Sequence, residues 1–129
     1  TADELLRIAA SLEKHSEHPF AKAIMEKAGN IALYDVSDFQ TLPGQGVSGI
    51  IDNVRYYGGN RKLMADIGID VPDYEVLAAE GKTPLFFAEG SGKFIGMIAA
   101  ADVLKSDAVI AINKSFFIFF VESLSRFVV

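Results

Sequence analysis

Cysteine is absent from the 129 residues. That excludes disulfides, zinc–thiolate centres and cysteine nucleophiles. Basic residues are few: 12 Lys and Arg stand against 17 Asp and Glu, for a formal charge of −5. Without a basic stripe the chain lacks the electrostatic footprint of a nucleic-acid binder. No apolar run reaches the roughly 18 residues that a membrane-spanning helix needs, so direct membrane insertion is not expected. The acidic start Thr1-Ala2-Asp3-Glu4 has no signal-peptide pattern. The first residue is not Met, so the chain reads as a fragment or a processed product. No repeat of 20 to 50 residues is visible. What is present is an apolar half with 22% charged residues. That is enough for a packed core, in one domain or one piece of a larger chain.

Residues 3–14 have helical spacing, with Leu5, Ile8, Ala9 and Leu12 on one stripe. His15 to Pro19 breaks the pattern. Pro19 suits the first position of a second helix and makes His18 its expected N-cap. Phe20, Ala23, Ile24 and Ala28 form that helix's apolar face, and Gly29-Asn30 stops it. Residues 33–42 then read as extended. Pro43 to Gly46 is a loop. Residues 47–52 and 54–57 are β-rich and meet at Asp52-Asn53, a tight hairpin turn. Short helices are expected around Leu63, Met64 and Ile67, and over residues 73–80. Residues 83–88 and 93–99 form a second hairpin. A helix begins near Leu104, and an uncharged aromatic block follows from Ser115 to Val121. Hairpins dominate, so the expected fold is α/β (α+β), a largely antiparallel six-stranded sheet flanked by helices, placed on one face. The expected core includes Leu5, Ile8, Leu12, Ile24, Val47, Ile50, Leu63, Leu77, Phe86, Ile95 and Met97.

Gly44-Gln45-Gly46-Val47-Ser48-Gly49 matches GxGxxG. A dinucleotide fingerprint needs a strand before it and a helix after it. Here a β-branched hairpin follows, so a dinucleotide site is not expected. The loop is then either a flexible turn or a place where bare backbone approaches a ligand. Gly81-Lys82-Thr83 resembles the end of a phosphate-binding loop, but Val76 stands where its first glycine belongs; Lys82 reads as a solvated loop residue. His18 is either a structural cap or a stacking ring. At a helix start the imidazolium is disfavoured, and a neutral flat ring suits a nucleobase. Glu13 is either solvated or an acceptor for an adenine amino group. His15 is the only other histidine, and the pair makes no metal site. No Ser-His-Asp arrangement is credible, so no catalytic residue is assigned.

The ordered set Ala10-Ser11-Leu12-Glu13, Ser16-Glu17-His18-Pro19, Gly44-Gln45-Gly46-Val47 and Gly59-Asn60 resembles the nucleotide-binding (N) domain of heavy-metal-transporting P-type ATPases, the copper exporters most of all. The specific part is Ser-Glu-His-Pro with a Glu five residues before the His. The similarity runs from about residue 1 to about residue 112. It implies a cytoplasmic domain of an integral membrane pump. Residues 1–101 would be the nucleotide-binding domain. Residues 102–112 would begin the return to the phosphorylation domain of the same polypeptide. Residues 113–129 are an atypical Phe-rich tail that does not align, of cloning-derived, frameshifted or natural origin.

By matching positions, the resemblance implies that Glu13 meets the adenine amino edge and that His18 orients the base. Gly44 and Gly46 form the close-approach loop, Val47 packs beside the base, and Asn60 completes the pocket. The implied ligand is ATP, with Mg²⁺ in the intact pump, and its γ-phosphate would reach an aspartate in the neighbouring domain. The Asp-Lys-Thr-Gly-Thr motif that carries that aspartate is absent here, as are the Thr-Gly-Asp hinge motif and Cys-Pro-Cys metal ligands. The chain alone is therefore expected to bind ATP without turning it over. Two other readings stay open: the same domain of a zinc, cadmium or cobalt pump, and a non-catalytic interaction module working through the tail aromatics.

Overall fold

The computed structural model describes residues 2–17, 19–71, 82–101 and 119–121. Helices α1 (Ala2–Glu13) and α2 (Pro19–Ala28) come first. Strands β1 (Ser37–Leu42), β2 (Gly46–Ile51) and β3 (Val54–Gly59) follow. A short helix, α3 (Arg61–Asp66), precedes the long pair β4 (Lys82–Glu89) and β5 (Lys93–Ala101). Neighbours in sequence are neighbours in the sheet, and each pair is antiparallel. The fold is α+β with an antiparallel meander, in which β1–β2, β2–β3 and β4–β5 have hairpin-length connections and β3–β4 a longer one that contains α3. Phe119–Val121 (β6), inside the Phe-rich tail, pairs with Met97–Ala99 at the far edge of β5. The expected helices over 73–80 and from 104 onward lie outside the described residues, as does Leu77.

The Asp52-Asn53 turn forms as its chemistry dictates. Ile51 pairs with Val54, and the two linking residues both take positive φ, 51° and 66°. Asp and Asn tolerate that region better than other side chains.

The sheet is covered on both sides. Phe86 and Phe87 are adjacent in β4 and both fully buried. Successive strand side chains point to opposite faces, so one helical layer could not bury both. A Cβ built on Gly49 would approach Leu12 of α1. One built on Gly59 would lie 2.8 Å from Leu63 of α3. The registers Gly46–Gly59 and Val47–Gly58 put Gly49 and Gly59 on opposite faces. Helices therefore flank both faces, not one.

The core holds Leu5, Ile8, Leu12, Ile24, Val47, Leu63, Phe86 and Met97 as expected. Ile51, not Ile50, is the buried isoleucine of β2, and Ile95 is only partly buried. Pairing at the hairpin turn puts Val47, Gly49 and Ile51 on the α1 face, which leaves Ile50 on the other.

Polar contacts hold α1 against the segment that leads into β1. The buried Ser11 hydroxyl donates to the Arg7 carbonyl at 2.7 Å and accepts from the Tyr34 amide at 2.9 Å. Arg7 donates to the Ala32 carbonyl and lies 3.9 Å over the Tyr34 ring, while the Tyr34 hydroxyl donates to Glu4. These bonds fix where the C-terminal end of α1, and so Glu13, sits relative to the sheet.

Candidate functional site

Helix α1 ends in a tight turn in which the Ser16 amide donates to the Glu13 carbonyl at 2.9 Å. Glu13 is the last helical residue and is only 6% exposed. Between β1 and β2 lies the Gly44-Gln45-Gly46 bend, closed by the Gln45 amide donating to the Leu42 carbonyl. Between these elements is a cavity of about 580 Å³. That size suits a small-molecule ligand. Gly58, Gly59 and Asn60 at the end of β3, with Pro84 and Leu85 of β4, also line it.

Each residue implied by the resemblance has a definite place, except His18, which lies outside the described residues. Glu13, Gly44, Gly46, Val47 and Asn60 all line the one cavity. The turn carrying His15, Ser16 and Glu17 lines it as well. The segment leading to His18 and the glycine bend thus line the same cavity.

The two glycines of the bend do different work. Gly44 has φ of 74°, and nothing lies within 4 Å of a Cβ built there. Its bare backbone faces open space, where a ligand can approach. Gly46 pairs with Gly59, and a Cβ on it would collide with the Gly58 carbonyl and come within 2.6 Å of the Gly59 Cα. The close approach at Gly46 is between two strands of the protein.

Asn60 shapes the bend. Its side-chain oxygen accepts from the Leu63 amide at 3.0 Å, which caps α3. Its amide donates to the Gly44 carbonyl at 2.8 Å, and its backbone amide to the Gln45 carbonyl at 2.9 Å. Val47 belongs to the core and shows an edge to the cavity.

Burial pushes the Glu13 carboxyl from an ordinary 4.5 up to about 7, against a hydrogen bond from Ser16 that pulls it down. Loss of water disfavours the charged form. Among the described residues the lining includes no Lys or Arg that would offset this.

Reasoning from sequence did not place His15, Gly58, Pro84 or Leu85 at the site, and named Gly59 only as part of the Gly59-Asn60 turn. His15 packs edge-on against Phe39, with ring centres 5.6 Å apart. A glycine pair ending a β-rich run signals close backbone approach, and that signal was present at Gly58-Gly59. Pro84 and Leu85 arrive through strand pairing and carry no local mark.

No family model matches the chain. A copper-exporting P-type ATPase B of Archaeoglobus fulgidus is 41% identical over 115 residues, which cover 87% of this chain and 16% of that relative. The solved N-domain of HMA8, a copper-transporting P-type ATPase, superposes with a TM-score of 0.60 at 26% identity, covering 74% of this chain and 86% of that one. The chain is homologous to the N-domain of copper-type heavy-metal P-type ATPases. A zinc-transporting PIB-type ATPase is also similar, with a TM-score of 0.63 at 25% identity, covering 82% of this chain and 18% of that one. The chain thus spans about a sixth of the length of the full-length pumps it matches.

Proposed function

We propose that this N-domain anchors ATP by its adenine and presents the γ-phosphate to an aspartate in the phosphorylation domain of a copper-transporting pump, as a cytoplasmic domain of that membrane protein. One observation carries the reading: a buried carboxyl at the end of α1 and a bare glycine bend line the same cavity of about 580 Å³. Adenine is flat and largely apolar, so a few polar groups and one stacking ring hold it. Glu13 would meet its amino edge and His18 its face. Val47 and Leu85 would supply apolar contact, and Gly44 would leave room for the ribose and phosphates. A lining without Lys or Arg among the described residues grips phosphate weakly. The phosphates are then free to be positioned elsewhere, which a delivery domain needs. Among the described residues, no group of three or more His, Cys, Asp or Glu side chains could hold a metal ion. In the intact pump the Mg²⁺ that accompanies ATP would sit with the phosphates and the neighbouring domain.

The test is an amide NMR titration with ATP. Shifts are expected around Glu13, His18, Gly44 and Gly46, and His18→Ala should weaken binding by about 1–3 kcal/mol. Shifts confined to the tail, or none, would favour an interaction module instead. A zinc pump is the second reading, supported by the similarity to the zinc-transporting structure. The sequence of the membrane helices in the full-length gene decides between the metals. On either reading the isolated chain, which has no Asp-Lys-Thr-Gly-Thr segment, should show no metal-dependent ATP hydrolysis.

A further inference from the structure

Glu13 is 6% exposed, lines the cavity, and has Ser16 as a side-chain hydrogen-bond partner. The titratable groups around it are few. His15 and Glu17 follow in the same turn, and both are exposed. Lys14, beside it in sequence, is exposed too. Helix α2, packed on α1, carries Lys22, Glu26 and Lys27, all exposed. The cavity-lining stretches of β1, β2, β3 and β4 bring no charged side chain. Among the described residues the cavity lining brings no Lys or Arg to a Glu13 anion, whose side-chain partner is Ser16.

Resting on the ATP-binding reading above, we propose that Glu13 meets the base as a neutral carboxylic acid, and that its ionisation shifts the site away from adenine and toward guanine. A neutral carboxyl offers one acceptor and one donor, whereas a carboxylate offers acceptors only. The Watson–Crick edge of adenine presents an amino donor beside the N1 acceptor. The neutral acid satisfies both. The carboxylate satisfies the amino group but sets its negative charge against the N1 lone pair. Guanine presents two adjacent donors, N1–H and the 2-amino group, which the carboxylate accepts together. The neutral acid can also meet guanine, at O6 and N1–H. The signature is thus the change in selectivity on ionisation, not its absolute value. The raised Glu13 carboxyl places that change near neutral pH.

The experiment measures the Kd of the 129-residue chain for ATP and for GTP from pH 6 to 8.5. Their ratio cancels the titration of the phosphates common to both. The ratio Kd(GTP)/Kd(ATP) should fall with rising pH, by about tenfold or more over this range if ATP requires the neutral form. Glu13→Gln keeps one donor and one acceptor at every pH, so it should retain ATP binding and give a flat ratio. In the wild type, the carboxyl ¹³C titration of Glu13 should lie at higher pH with saturating ATP than with saturating GTP, as linkage requires. A flat wild-type ratio with ATP still bound overturns the proposal and leaves the ATP-binding reading standing. So does loss of ATP binding in a folded Glu13→Gln. Should that variant fail to fold, the wild-type ratio and the ¹³C titration decide. Absence of binding by either nucleotide at every pH overturns the ATP-binding reading itself, and this proposal with it.

Discussion

Gly46 and Gly59 face each other across β2 and β3 with no space for a side chain on either. A Cβ on Gly46 would collide with the Gly58 carbonyl, and one on Gly59 with the Gln45 carbonyl. Gly46 also has φ of 154°, outside the range of ordinary side chains. Gly44, two residues earlier, has a positive φ but no neighbour for a Cβ to meet. Gly46→Ala should therefore destabilise the fold by about 3 kcal/mol or more, combining backbone strain with a clash against backbone that cannot yield. Gly44→Ala should cost only about 1–2 kcal/mol, the left-handed penalty alone. Urea unfolding of both variants measures the difference. Equal losses would show that the clash at Gly46 is relieved by a small strand shift.

Glu13 makes stability depend on pH with a definite sign. Its carboxyl titrates near 4.5 in an unfolded chain and about 7 in the folded one. Between those values the folded state holds more protons. Glu13's contribution is therefore fully favourable below about pH 4.5, declines as pH rises, and is lost above about 7. The full span is about 3 kcal/mol as an order of magnitude. Glu13→Gln should stabilise the ligand-free domain at pH 8 by up to about that amount and change little at pH 4.5. Thermal unfolding of both proteins at the two pH values checks it. Equal stabilisation at both would mean that packing, not charge, separates Glu from Gln.

Ser11 joins α1 to the segment before β1 through one hydroxyl that both donates and accepts. Ser11→Ala leaves the Tyr34 amide without that acceptor and should cost about 1–3 kcal/mol. Hydrogen exchange at Tyr34 should accelerate by about tenfold or more, because the local opening energy falls with the lost bond. Exchange at Ile51, on the β2–β3 hairpin, should follow only the global loss. If Tyr34 is no faster than the global change predicts, Arg7 and Glu4 hold the segment without Ser11.

What the sequence revealed depended on how local the cause was. α1 was legible because Leu5, Ile8 and Leu12 recur at helical spacing. The Asp52-Asn53 turn was legible because those two side chains tolerate positive φ. β2 was readable as a strand, but its phase was not. Ile50 and Ile51 are adjacent and equally apolar, and only pairing with β3 decides which one faces α1. The same limit applies at the cavity. Gly44, Gly46 and Asn60 were picked out as a set by resemblance, yet their tasks at the bend follow from contacts 13 to 16 residues away along the chain. The shifted Glu13 carboxyl had no sequence mark at all, since its cause is the water excluded by the folded chain.

Asn60 offers a test that separates holding the site from capping a helix. Its side-chain oxygen caps α3 at Leu63, while its amide ties down the Gly44 carbonyl. Asn60→Ala removes both and should cost about 1–2 kcal/mol of stability, mostly the cap. Asn60→Asp keeps an oxygen to accept from Leu63 but has no N–H to donate to Gly44. It should therefore retain most of the stability while loosening the bend, and its carboxylate would face a carbonyl oxygen in place of a donor. ATP affinity should then fall in both variants by a similar factor, though only Asn60→Ala unfolds at clearly lower urea. Calorimetric titration beside urea unfolding resolves the two effects. If Asn60→Asp binds ATP as tightly as the wild type, the hydrogen bond to Gly44 does not shape the site, and the backbone contacts Asn60–Gln45 and Gln45–Leu42 hold the bend.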